Sequence, residues 1–109
     1  MEFKFKIWIE ENGNFVLGKG GYQILKEIQK TGYITEAAKN LGMSYKFAWE
    51  YVKRVNRIEQ LKTKKGVKGG TEIPEKINKI LQLYEMAEKE VNDVLKKYDK
   101  MLSEIIEGP

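Results

Sequence analysis

The sequence predicts a mainly α-helical domain with a small β component, a winged helix-turn-helix carrying an N-terminal β-hairpin and a long C-terminal dimerisation helix. Three observations predict it. Two short helical patterns flank Gly42 and Ser44, the arrangement of a helix-turn-helix. A lysine- and glycine-rich hairpin pattern follows them. After Pro74 nothing breaks a helix until Gly108.

Each element has a local reason. Phe3, Phe5, Ile7 and Ile9 alternate with Lys4, Lys6 and Trp8, the period of a half-buried strand. Asn12-Gly13 then forms a tight turn, because both residue types tolerate positive φ. Phe15-Val16-Leu17 is the returning strand, which gives a hairpin over 3–17. Gly18-Lys19-Gly20-Gly21 interrupts regular structure. It lacks the spacing and hydroxyl of a phosphate loop, so it reads as a tight strand-to-helix connection.

From Tyr22 the period becomes helical, with Ile24, Leu25 and Ile28 on one face and Gly32 as the stop. Thr35 is placed as the N-cap of a short helix over 36–41. Gly42 ends that helix, and Ser44 caps the next, which runs over 45–59. The helix-turn-helix thus occupies 35–59. Ala37 and Ala38 let its two helices approach closely, and Leu41, Ala48, Val52 and Val55 face the core. Tyr45, Lys46, Trp49 and Lys53 lie on the other face. Phe47 and Tyr51 are expected to pack against the wing or the long helix. Trp8 is expected to cover a second subunit.

The wing spans 61–73, with Gly66, Gly69 and Gly70 among its lysines. Residues 1–73 therefore read as the DNA-binding domain and 74–107 as the dimerisation helix, with Pro74 in its first turn. That helix carries a heptad. Position a holds Ile77, Tyr84, Val91, Tyr98 and Ile105; position d holds Ile80, Ala87, Val94 and Met101. At 1.5 Å per residue it extends roughly 50 Å. No other segment is long enough to cover it, so the stripe is assigned to a second copy. The dimerisation residues are Ile77, Ile80, Tyr84, Ala87, Val91, Val94, Tyr98 and Met101.

Composition narrows the function. The 109 residues contain no cysteine and no histidine. This excludes a disulfide framework, a thiolate nucleophile, a Cys/His zinc site and an imidazole base. Paired acids on the last helix lack the histidine that a bundle metal site needs. The expectation is a protein that is not an enzyme, with no cofactor and no metal. No apolar run spans a bilayer, and the absence of cysteine fits a reducing, cytoplasmic setting. Net charge is +4, unevenly spread: residues 1–70 carry 14 cations and 7 anions, while residues 71–109 carry 6 and 9. A basic half beside an acidic helix points to a polyanion partner for the first.

Three runs carry a resemblance. Val16-Leu17-Gly18-Lys19-Gly20-Gly21, Ile34-Thr35-Glu36-Ala37-Ala38-Lys39 and Gly42-Met43-Ser44-Tyr45-Lys46-Phe47-Ala48-Trp49 are similar to the DNA-binding half of ModE-type molybdate-responsive transcriptional regulators. More distantly, the chain resembles the LysR-type winged helix. The resemblance implies a homodimer on a palindromic operator, with Ser44, Tyr45, Lys46 and Trp49 near the DNA. In that family a C-terminal domain senses the oxyanion. This chain stops where that domain would begin, so molybdate sensing is not expected. The candidate DNA contacts are Thr35, Ser44, Tyr45, Lys46, Trp49 and Lys53, with Lys64, Lys65 and Lys68 on the wing. The expected function is sequence-specific transcriptional regulation on double-stranded DNA. A protein-interaction co-regulator and a nonspecific architectural DNA-binding protein are the alternatives.

Overall fold

A computed structural model describes residues 1–63 and 70–108. The chain forms a winged helix-turn-helix whose last helix projects from the head. The elements are β1 (Ile9–Glu11), β2 (Asn14–Leu17), α1 (Lys19–Thr31), α2 (Ile34–Asn40), α3 (Tyr45–Asn56), β3 (Lys62–Thr63), β4 (Thr71–Glu72) and α4 (Glu75–Glu107). Strands β1 and β2 pair antiparallel across the Asn12-Gly13 turn, where both residues take positive φ. The wing pair is also antiparallel, with Lys62 opposite Glu72 and Thr63 opposite Thr71.

The core is a single apolar cluster. Leu17 meets Ile24, Leu25 and Ile28 of α1, the small face of α2 at Ala37 and Ala38, and Ala48, Val52 and Val55 of α3. Leu61 and Ile73 close it from the wing's base, and Ile77, Leu81 and Tyr84 bring in α4. Burial of these side chains is the main favourable term, at about 25 cal/mol per Å² of apolar surface. Gly32 takes the left-handed conformation that ends α1, its N–H donating to the Ile28 carbonyl. The Gly32 carbonyl in turn accepts from the Thr71 N–H at 2.7 Å, which joins the wing to the α1–α2 link.

Several expectations change. The N-terminal strand is shorter than its alternation predicts. Residues 1–8 keep the in–out pattern at Phe5 and Ile7 but form no strand, because among the described residues no second strand lies beside them. They run along α4 instead. The Phe3 N–H donates to Asp99 Oδ1 at 2.6 Å, and the Tyr84 hydroxyl donates to the Ile7 carbonyl at 3.2 Å. Part of the long helix is thus covered by its own chain, although no other segment is long enough to cover the whole stripe.

Lys19, Gly20 and Gly21 belong to the first turn of α1 rather than to a break. The glycines serve close packing. A Cβ on Gly20 would lie 2.5 Å from the Tyr51 hydroxyl oxygen, and one on Gly21 would lie 2.8 Å from Leu17 Cδ1. Pro74 is the N-cap of α4, with extended ψ, rather than a residue of its first turn. Helix α3 ends at Asn56, short of the expected Glu59.

Candidate nucleic-acid interface

Helix α3 is set on the head by its small inner face. Ala48 and Val52 are fully buried, Val55 nearly so, and Ala37 and Ala38 of α2 let the two helices close up. Between them the chain turns at Gly42, which has φ +67°. Ser44 then caps α3, its hydroxyl accepting from the Phe47 N–H at 3.1 Å. With the inner face fixed, 3.6 residues per turn decide what points outward. Lys46, Glu50, Lys53 and Arg57, at i, i+4, i+7 and i+11, make the exposed ridge.

The predicted contacts fall as follows. Tyr45 is 53% exposed at the start of this face, beside exposed Lys46. Lys53 is exposed and pairs with Glu50 at 3.4 Å. Trp49, 36% exposed, sits on one flank and borders a cleft of about 230 Å³ with Ile34, Leu61, Thr63 and Thr71. It therefore lies between α3 and the wing's base. Ser44 is exposed, with its oxygen engaged in the cap. Thr35 is exposed in the first turn of α2 but is not the cap. The helix already begins at buried Ile34, so Tyr33 occupies that position, and it offers no side-chain hydrogen bond. Lys64, Lys65 and Lys68 lie outside the described residues.

Phe47 departs from expectation. It is 58% exposed and, among the described residues, meets Tyr51 edge-on, centroids 5.6 Å apart. Tyr51 packs against α1 at Gly20 and Gly21. The Arg54 guanidinium lies over both the Phe15 ring, at 5.2 Å, and the Tyr51 ring, at 5.4 Å. Glu50, Arg54, Arg57 and Phe47 were not among the expected contacts. The first three follow from the helical spacing once the inner stripe is known. Phe47 had no sequence signal separating an exposed aromatic from a packed one. Among the described residues, Lys46, Arg54 and Arg57 have no carboxylate within ion-pair distance.

The proposed dimer stripe divides in two. Ile77 and Tyr84, expected against a second copy, are buried in the chain's own core, Tyr84 at 4% exposure. Its ring stacks on Tyr22 with centroids 5.1 Å apart. Burial, and then the charge of Glu88, holds the Tyr84 hydroxyl above its ordinary pKa. Tyr22 is raised further, by burial and by its hydrogen bond to the Glu85 carboxylate. Ile80 packs partly on the core. Beyond them Val91 is half-buried, while Ala87, Val94, Tyr98 and Met101 are exposed, as are Leu83, Ile105 and Ile106.

Over 72 residues the chain is 40% identical to the transcriptional regulator ModE of Haemophilus influenzae, covering 62% of this chain and 28% of that protein. The chain is homologous in part to ModE-type transcriptional regulators. The Yersinia pestis ModE is 34% identical over 68 residues, covering 58% of this chain and 26% of the relative. The matched stretch thus spans about a quarter of the length of these ModE proteins. Both relatives are transcriptional regulators, which agrees with a non-enzymatic reading. No protein-family model matches the chain. Among the described residues, no helix is long and apolar enough to cross a membrane.

Proposed function

We propose that this chain is a DNA-binding transcriptional regulator that acts as a homodimer in the cytoplasm. Helix α3 enters the major groove, where Tyr45, Lys46 and Trp49 approach base edges and Lys53 and Thr35 approach the backbone. The wing lysines Lys64, Lys65 and Lys68 contact phosphates. The outer stripe of α4, Ala87, Val91, Val94, Tyr98 and Met101, pairs with a second copy, and Ile80 borders it. The observation that carries the reading is the α3 ridge: exposed Lys46, Lys53 and Arg57, with Glu50 the one anion among them, opposite a tightly buried inner face.

The test is selection of bound sites from random duplexes, followed by binding at several salt concentrations. The expected result is a two-fold symmetric site with half-sites about one helical turn apart, roughly 34 Å or a multiple. Lys46→Ala should lower affinity and relax base preference. Lys64→Ala should weaken all duplexes and reduce the salt slope by about 0.9 for each phosphate no longer neutralised. Saturating molybdate should leave the affinity unchanged. Salt-dependent binding with no preferred site would favour the architectural alternative. Absence of duplex binding at low salt would favour the co-regulator.

A further inference from the structure

The cationic groups of α3 are not confined to the ridge and the wing side. On the flank away from the wing, Arg54 is held between Phe15 of the N-terminal hairpin and Tyr51. Lys6 and Trp8 complete the wall of an open cavity of about 370 Å³ there. Lys6 is exposed and, like Arg54, has no carboxylate in ion-pair range among the described residues. A guanidinium fixed by two rings has already lost the rotamer freedom that an ordinary surface arginine gives up on binding. Its five N–H donors form a planar fork that matches the oxygens of a phosphodiester.

We infer that Arg54 and Lys6 form a second phosphate-binding site, a clamp for the DNA strand on the hairpin side of α3. This rests on the DNA-binding reading above. A helix in the major groove has one backbone strand on each flank. The wing serves the flank of Trp49, and the aromatic-held guanidinium serves the other. The hairpin, which the sequence offers only as structure, thereby becomes part of the interface. Phe15 is a positioning residue that acts through Arg54.

The experiment measures binding of a fluorescein-labelled duplex of mixed sequence across a salt series, with the full chain. Arg54→Gln should bind about tenfold more weakly at fixed salt. Its plot of log affinity against log salt should flatten by about 0.9 for each copy bound. Lys6→Gln should flatten the slope similarly. Phe15→Leu should keep the wild-type slope while weakening binding by about threefold, since the charge remains but is no longer held. Arg54→Lys should likewise keep the slope. An unchanged slope in both Arg54→Gln and Lys6→Gln overturns the clamp, whether or not affinity falls, because a purely structural role would not change counterion release. If those two leave the slope unchanged while Lys53→Ala, at a residue placed on the backbone, lowers it, the clamp is wrong and the DNA-binding reading stands. A wild-type chain with no salt-dependent duplex binding removes both.

Discussion

Tyr84 gives the sharpest test of how the long helix is used. A heptad assigns it to a second copy, whereas the structure buries it within one chain. Tyr84→Ala deletes a nearly fully buried aromatic ring, its stack on Tyr22 and its hydrogen bond to the Ile7 carbonyl. Removing a buried aromatic side chain costs about 3–5 kcal/mol. Against a total stability of about 5–15 kcal/mol for a domain, that is a large share. With a urea slope of about 1.5 kcal/mol/M, the midpoint should fall by roughly 2–3 M. Tyr84→Phe keeps the ring and the stack and loses only the hydroxyl, for about 1 kcal/mol. The assay is urea unfolding followed by circular dichroism at two protein concentrations about a hundredfold apart. The Tyr84→Ala loss should persist at the dilute end, where copies are separated. A loss under about 1 kcal/mol, or one seen only where the protein self-associates, would refute the placement of Tyr84 in the chain's own core.

Three further outcomes are expected. Gly21→Ala would gain about 1 kcal/mol of helix propensity, but its methyl would sit 2.8 Å from Leu17 Cδ1. Leu17 is itself buried, so crowding of about 1–3 kcal/mol should win and thermal scanning should show Tm lowered by about 5 °C. Ser44→Ala should destabilise by about 1 kcal/mol in chemical denaturation, and Ser44→Asp, which keeps an accepting oxygen for the Phe47 N–H, should retain most of it. Tyr22 is raised above its ordinary pKa by burial and by Glu85. Its neutral form is favoured in the fold, so its contribution is whole below the unfolded value of about 10 and is lost as pH rises beyond it. Between about pH 9 and 11 the wild-type urea midpoint should therefore fall more steeply than that of Tyr22→Phe; equal slopes would contradict the assignment.

What the sequence makes legible is local. The Asn12-Gly13 turn, the Gly32 stop, the Ser44 cap and the buried stripe of α3 are each decided by residues within a turn or two of one another. What it hides depends on contacts between distant segments. A heptad says that a stripe is apolar but not which part meets its own head, so Ile77 and Tyr84 read like Val94 and Met101. The N-terminal residues alternate as a strand does, yet only a hydrogen-bonding neighbour would make them one, and α4 lies there instead. Gly20 and Gly21 look like helix breakers because their use is close approach to Tyr51 and Leu17, which lie elsewhere in the chain. At the interface, Lys46 and Lys53 follow from helical spacing. Arg54 acquires its setting only when Phe15 is brought over it from the hairpin.

The hydrogen bond from Thr71 to the Gly32 carbonyl has a mechanical effect. Gly32 is also the residue at which the path from α1 to α2 bends, so one peptide group serves as both hinge and tether. Strand β4 cannot lift or slide without breaking that tie or dragging the bend with it. A tug on β4 would thus arrive at the angle between the first two helices.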